Sequence, residues 1–379
     1  MRIALNLTGL RPGRTGGMEI YVRNLINGLA LLPPLHDYRI LLGTEAKGMS
    51  PADDGRFSEF ITDSVLPKRC RQSYYAHYPW QWLTTMRELR RFRPQIHHCP
   101  FNVALPPWRL AANTVVTLHD VLFMTNPAML NYSALAFQRY FFRRGLTFIR
   151  KIITVSKYSK QVIVNDFQLD PELVQVVYNG INTTVFRNEA IADSEKLRAH
   201  LPCPYLFFPG ATWPYKNHIR LLQAIGLLRD TKGLVVNLVL TGYPQTAHRD
   251  VLDVLQRLRL EAQVHWLGWT STADLVSIYQ QARALVFPSL HEGFGLPIIE
   301  AMACGCPVLC SGTTACAEVA GQAAVTFDPM QVDDIAARIE AIWSDSSLRN
   351  DLVAKGLNRA REFTCARMAQ ETLDVFASL

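Results

Sequence analysis

From end to end of this chain, apolar runs rich in β-branched residues alternate with segments of helical period, which leaves few folds open. Strands of that kind are hydrophobic almost continuously because both faces are covered, the mark of parallel sheets under helices. In the first half the pattern predicts strands at 2–8, 38–42, 95–98, 114–118, 152–155 and 174–178, with helices at 18–32, 74–92, 132–149 and 157–166. In the second half it predicts strands at 205–209, 235–240, 263–266, 284–287, 307–309 and 324–327, with helices between them. A polar stretch from Asn182 to Cys203 separates the halves and reads as the domain boundary. A chain of 379 residues exceeds one comfortable core at roughly 150 residues per domain. The expectation is two doubly wound α/β domains, over 1–182 and 183–362, and a C-terminal helix over 363–379 that packs back on the first. No sequence repeat relates the two.

In open parallel sheets, ligands gather beyond the carboxyl ends of the strands, where helix N-termini also point. Gly16-Gly17, His119-Asp120, Ser156-Lys157 and Asn179-Gly180 follow predicted strands of the first half; Lys216 and His291-Glu292-Gly293 follow strands of the second. If the domains face each other, these polar features converge on one cleft.

The most informative segment runs from Pro288 to Gly305. Pro297 suits the start of a helix, which puts Gly293 and Gly295 in the loop feeding its N-terminus. Glycines there let backbone N–H groups approach a ligand, and the helix dipole favours a phosphate. Glu292 falls in the loop and Glu300 in the first turn of the helix or just past it. Structurally, Glu300 could simply complement the dipole and the glycines simply turn the chain. A second segment, Pro209-Gly210-Ala211-Thr212-Trp213-Pro214-Tyr215-Lys216-Asn217-His218-Ile219-Arg220, makes Asn217 an N-cap and crowds Lys216, His218 and Arg220 around a helix start. Cations are disfavoured there, and an anion would resolve the misfit.

The 288–305 segment strongly resembles the double-glutamate motif of family 4 glycosyltransferases, whose GT-B fold is two facing Rossmann-like domains. The resemblance implies that Glu292 meets donor-sugar hydroxyls, that Gly293 and the backbone of Phe294, Gly295 and Leu296 meet sugar and diphosphate, and that Glu300 holds the nucleotide ribose. It further implies that Lys216 grips the diphosphate and that Gly210 and Asn217 also belong to the donor-binding residues. The family usually carries an arginine where Ala211 stands; a similar loss, with an Asn after the lysine, looks familiar from the mannosyltransferase-like branch that builds bacterial polysaccharides. Arg14, His218 and Arg220 are the candidates to compensate. Gly16 and Gly17 resemble the family's N-terminal Gly-Gly loop, which meets the donor phosphate. Thr117-Leu118-His119-Asp120 resembles its His-Asp, in which the histidine stands beside the reacting sugar. The likeness spans about residues 2 to 330.

What the resemblance implies is a retaining transfer of a mannose- or rhamnose-type hexose from a nucleotide sugar, GDP-linked by preference and UDP-linked as the alternative, to a lipid-linked or oligosaccharide acceptor. No D-x-D motif appears, in keeping with the GT-B habit of handling the diphosphate with lysine and helix ends, so neither a metal nor another cofactor is expected.

The formal charge of +7 points to anionic partners but does not choose among them. No helix-turn-helix, zinc-finger or RNP-type signature supports a nucleic acid, which leaves that reading, like that of a non-catalytic sugar-binding homologue, weak. A non-hydrolysing sugar epimerase would share the architecture without the Glu292/Glu300 pattern. The start of the chain reads as a buried strand rather than a signal peptide, and no apolar run approaches the roughly 20 residues needed to span a bilayer. Cys304, Cys306, Cys310 and Cys316 lack a paired zinc-knuckle spacing and read as buried thiols of a reducing compartment. Trp82, Met86 and Leu89 are expected on one helical face, with Arg87, Arg90 and Arg91 beside it. Arg139, Arg143 and Arg144 interleave with Tyr140, Phe141 and Phe142 in a second helix. Together they suggest a basic-aromatic surface for an anionic leaflet, hence a peripheral protein at the cytoplasmic face of the inner membrane.

Overall fold

The computed structural model describes residues 1–13, 16–52, 54–63, 78–106, 108–119, 132–189 and 201–379. The chain divides into two units, Met1–Gly180 with Cys365–Leu379, and Ile181–Thr364. Each is a parallel sheet with helices in its crossovers.

In the first unit, strands β1 (Arg2–Leu7), β2 (Asp37–Leu42), β3 (Phe57–Ile61), β4 (Ile96–Cys99), β5 (Asn113–Leu118), β6 (Ile149–Thr154) and β7 (Val174–Val176) lie in the order β3-β2-β1-β4-β5-β6-β7. Its helices are α1 (Gly17–Leu31), α2 (Tyr78–Phe92), α3 (Tyr132–Gly145) and α4 (Lys157–Phe167). In the second unit, β8 (Tyr205–Pro209), β9 (Asn237–Thr241), β10 (Val264–Trp266), β11 (Ala284–Phe287), β12 (Val308–Ser311) and β13 (Val325–Phe327) lie in the order β10-β9-β8-β11-β12-β13. Its helices are α5 (His218–Lys232), α6 (His248–Arg257), α7 (Thr272–Gln281), α8 (Leu296–Ala303), α9 (Thr314–Ala320), α10 (Val332–Ser344) and α11 (Ser346–Ala360). The last helix, α12 (Cys365–Ala377), returns to the first unit.

Both sheets start at an inner strand, build outward to one side, then cross back to the other. That reversal creates a switch point between β1 and β4 in one unit and between β8 and β11 in the other, where loops diverge and open a crevice. The central strands β5, β8 and β11 are buried almost throughout, as strands covered on both faces must be.

The doubly wound architecture matches the expectation, and the differences have local causes. Strand β3 escapes the hydrophobic pattern because it is an edge strand carrying Glu59, whose carboxylate accepts hydrogen bonds from the Gly48 and Ser50 amides. Helix α3 ends at Gly145, not 149: the Phe148 amide turns back to the Gly145 carbonyl, and Ile149 already pairs with Thr114 in the sheet. The helix foreseen from residue 74 is described from Tyr78 onward, and residues 74–77 lie outside the described residues.

Helix α1 buries Tyr21, Val22, Leu25, Ile26 and Leu29 along one side, and α12 packs against it. The approach is close because Gly28 has no side chain; a Cβ there would collide with the Cys365 carbonyl and stand 2.9 Å from the Ala369 methyl. Gly28→Ala therefore has to push two helices apart. The expected outcome is a loss of about 1–3 kcal/mol in urea unfolding; an unchanged midpoint and slope would show that α12 docks more loosely than described.

Candidate active site

At the switch point of the second unit, the loop after β8 and the loop after β11 bring two charges together. Lys216 Nζ lies 2.6 Å from Glu292 Oε1, with only 15% and 14% of the two side chains exposed. Lys216 also sits over the rings of Phe287, at 5.0 Å, and Tyr215, at 5.5 Å, so its ammonium is held between a carboxylate and two aromatic faces. Burial alone would lower its pKa, but the Glu292 carboxylate, together with Tyr215 and Cys316, more than offsets burial and raises it. A Cβ at Gly210 would meet the Phe208 ring at 3.1 Å and the Lys216 stem at 3.8 Å. Glycine there leaves the lysine its channel.

The loop after β11 feeds helix α8. Gly295, at φ 96°, takes the N-cap position, a left-handed conformation that favours glycine, and no side chain caps the helix. Pro297 falls in the first turn, and Phe294 turns inward, edge-on to Phe363 at 5.7 Å. From Phe294 to Leu296 the backbone, rather than a side chain, is thus what this loop offers a ligand. Gly293 is buried in the same loop. Glu300, the fifth residue of α8, is buried and accepts a hydrogen bond from Tyr279 Oη at 3.0 Å. Burial raises its pKa to about 7, the tyrosine pulling the other way. Tyr279 was not foreseen as a partner: it belongs to the apolar face of α7, and its sequence neighbourhood carries no sign of polar duty.

Asn217 stands at the N-cap position of α5, but it does not cap. Its backbone is left-handed, at φ 61°, and no helix amide bonds to its side chain. Instead Nδ2 donates to the carbonyls of Pro288, at 3.1 Å, and Pro329, at 2.7 Å, while Oδ1 accepts from Arg220 Nη1 at 3.0 Å. Of the residues that could replace the family's missing arginine beside Ala211, Arg14 lies outside the described residues. His218 is buried, its Nε2 donates to the Gly210 carbonyl at 3.2 Å, and desolvation lowers its pKa to about 4, so it brings no charge at neutral pH. Arg220 is engaged with Asn217.

In the first unit, Gly16 has φ 58° and precedes α1, with open space where a Cβ would be; its glycine is required by conformation, not by crowding. Gly17 opens the helix. Glu19 accepts from the Gly13 amide at 2.8 Å and pairs with Arg23, tying the loop to the helix. His119 is buried at the end of β5, with its ring edge-on to Tyr21 at 4.4 Å. Its Nε2 lies 2.6 Å from the Pro100 carbonyl, which can only accept, so Nε2 carries the proton. Burial lowers its pKa to about 4 and leaves Nδ1 as the acceptor of a neutral ring. Asp120 lies outside the described residues. Ser156 caps α4 by accepting from the Ser159 amide, and the Gly180 carbonyl accepts from Asn24 Nδ2. The described cysteines, Cys304, Cys306, Cys310 and Cys316 among them, are free. Among the described residues no group of three or more His, Cys, Asp or Glu could hold a metal.

Helix α2 differs from the expected amphipathic face. Leu89 is buried, and Trp82 and Met86 turn partly inward against Trp108, whose Nε1 donates to Met86 Sδ at 3.3 Å. Among the described side chains of this helix the exposed apolar ones are Trp80 and Leu83, alongside Arg87, Arg90 and Arg91. On α3, Phe142 belongs to the core, while Tyr140 is exposed beside Arg139, Arg143 and Arg144. A groove of about 300 Å³ runs between the helices, lined by Trp82, Trp108, Tyr140, Phe141 and Arg144. Among the described residues no helix is long and apolar enough to cross a membrane.

Residues 190–359 match the family described as "Glycosyl transferases group 1", and residues 15–185 that described as "Glycosyltransferase Family 4". The O-antigen chain mannosyltransferase B of Escherichia coli is 30% identical over 375 residues, covering 96% of each chain. Among solved structures, sucrose-phosphate synthase from Thermosynechococcus elongatus superposes with a TM-score of 0.79 at 18% identity, over 100% of this chain and 98% of its own. HepE of Anabaena, solved with UDP and glucose, does so with a TM-score of 0.75 at 18% identity over the whole of both chains. At such identities the structures speak for the fold, which is GT-B.

The buried carboxyl of Glu300 gives the second unit a pH dependence of known sign. Its folded pKa, about 7, lies above the ordinary 4.5, so the neutral acid stabilises the fold at low pH and that contribution is lost as pH rises from about 4.5 through 7. Glu300→Gln keeps the shape and removes the titration. Relative to wild type, the variant is expected to gain roughly 2–3 kcal/mol between about pH 5 and about pH 8 in denaturant unfolding. Parallel stability curves for the two proteins would show that Glu300 stays ionised throughout.

Proposed function

We propose that this chain, which belongs to the family 4 glycosyltransferases, moves a mannose- or rhamnose-type hexose from a GDP-linked donor to a lipid-linked or oligosaccharide acceptor in O-antigen or related polysaccharide synthesis. The observation that carries the reading is the Lys216–Glu292 pair at the switch point of the second unit, beside the uncapped N-terminus of α8. A diphosphate is the ligand this arrangement suits: it offers Lys216 a second anion and the helix end the negative charge its dipole favours. Lys216 passes from Glu292 to the diphosphate, and Glu292 is left to accept hydrogen bonds from the donor sugar. Glu300, below the helix end, holds the ribose. The choice of mannose and of the pathway rests on the Escherichia coli relative, named a mannosyltransferase of the O-antigen chain.

The chemistry is a transfer with retention and without a metal. The bond from the anomeric carbon to the diphosphate oxygen breaks through an oxocarbenium-like state, the acceptor oxygen bonds to the same face, and its proton leaves with the diphosphate. Lys216 and the α8 dipole stabilise the charge on the leaving group. The first unit takes the acceptor side, with Gly16 and Gly17 as candidate contacts of the donor phosphate and the neutral His119 as the candidate beside the reacting sugar. The exposed Trp80, Leu83 and Tyr140 among six arginines of α2 and α3 support a peripheral position at the cytoplasmic face of the inner membrane.

Two measurements test these statements. In steady-state kinetics with donors found by a thermal-shift screen of GDP- and UDP-sugars, Lys216→Ala and Glu300→Ala should raise the donor KM. Glu292→Ala should mainly lower kcat, by about 100-fold; wild-type kinetics for Lys216→Ala, or no nucleotide sugar that binds, would overturn the reading. In liposome flotation, the protein should float with anionic but not neutral vesicles, less so in high salt or as Arg87/Arg90/Arg91→Glu. Equal recovery in the soluble fraction for every lipid would end the membrane proposal.

A further inference from the structure

We infer that Asn217 is a positioning residue for Lys216 and does not itself touch the donor, an inference that rests on the donor-site reading above. The side chain has no donor to spare, and its oxygen is buried and already engaged. Both Nδ2 hydrogens go to carbonyls, those of Pro288 and Pro329, and Oδ1 accepts from Arg220, with only 4% of the residue exposed.

Each bond reaches a different part of the site. Pro288 opens the loop that carries Glu292, and Pro329 follows β13; Arg220 belongs to the first turn of α5. The side chain thus pins the loop after β8 to the loops after β11 and β13. A backbone bond runs alongside, from the Leu290 amide to the Tyr215 carbonyl at 2.7 Å. Lysine needs such help: its long stem gives up rotamer freedom when the ammonium is fixed, and a loop free to shift would hold it nowhere in particular.

The backbone points the same way. Asn217 closes the short 3-10 turn Pro214–Lys216 and adopts a left-handed conformation, which asparagine tolerates better than most residues. The residue thus reverses the chain directly after Lys216 and spans to the neighbouring loops from the same position. A residue that only made the turn could be glycine; one that only made the bonds could not hold φ 61° so readily.

Calorimetric titration separates positioning from contact, with GDP and guanosine as the probes. Wild type, Lys216→Ala, Asn217→Gly, Asn217→Asp and the double variant Lys216→Ala/Asn217→Gly are compared. Asn217→Gly keeps the turn and loses the bonds; Asn217→Asp keeps the Arg220 contact and sets a carboxylate against two carbonyls, giving a second variant if the first does not fold. The expected result is a fall of about tenfold in GDP affinity for either Asn217 variant, with guanosine affinity within about twofold of wild type. In the double variant, the Asn217 change should add little to the loss from Lys216→Ala, as for two residues acting on one contact. Equal losses for GDP and guanosine, or wild-type GDP affinity in both Asn217 variants, would overturn the inference. Should Lys216→Ala itself leave GDP affinity unchanged, it is the donor-site reading that fails.

Discussion

An ammonium taken out of water costs several kcal/mol unless an opposite charge meets it, and this requirement governs the second unit around Lys216. At 2.6 Å, Glu292 supplies the charge, and the aromatic faces of Phe287 and Tyr215 exclude water around it. Neither residue could be buried in that way alone. The pair therefore makes the free site electrically balanced, so that an incoming anion has a carboxylate to displace as well as a cation to find. A ligand that satisfied only the lysine would leave Glu292 unpaired, whereas one with both an anionic group and hydroxyl donors would satisfy the two together.

The first unit solves a related problem with neutral groups. Around β4 and β5, His98 Nε2 and Tyr21 Oη both meet Thr117 Oγ1, at 2.7 and 3.2 Å, and His119 is anchored to the Pro100 carbonyl. Burial lowers the pKa of His98 to about 3 and that of His119 to about 4, so at neutral pH these rings are hydrogen-bonding groups, not charges. The positive character of this unit comes instead from surface arginines.

Most strands were legible in the sequence, because a strand covered on both faces must be apolar along its length whatever its neighbours are. What was lost is whatever depends on position in the sheet: β3 at an edge, or the point at which α3 gives way to β6. Helix faces fared likewise. Trp82, Met86 and Leu89 do share a periodicity, but it is the periodicity of packing against Trp108 and the core, and the solvent-facing apolar residues are Trp80 and Leu83. Within the site, Lys216, Glu292 and Glu300 stood out through their motifs, whereas their supports did not. The carbonyls that Asn217 holds lie 71 and 112 residues further along the chain, and Tyr279 meets Glu300 across 21. Such partners are set by strand order, which no local pattern encodes.

The return of α12 to the first unit has a consequence for how the protein comes into being. The backbone leaves that unit at Gly180 and re-enters it at Cys365, and at the crossing Ile181 and Thr364 lie side by side in a β-bridge. The helix that covers α1 is synthesised only after the second unit, so during translation the first unit waits with one flank of α1 bare while the second is already whole. The unit made first is completed last. Its apolar surface stays open to chaperones and to other nascent chains until α12 has been made.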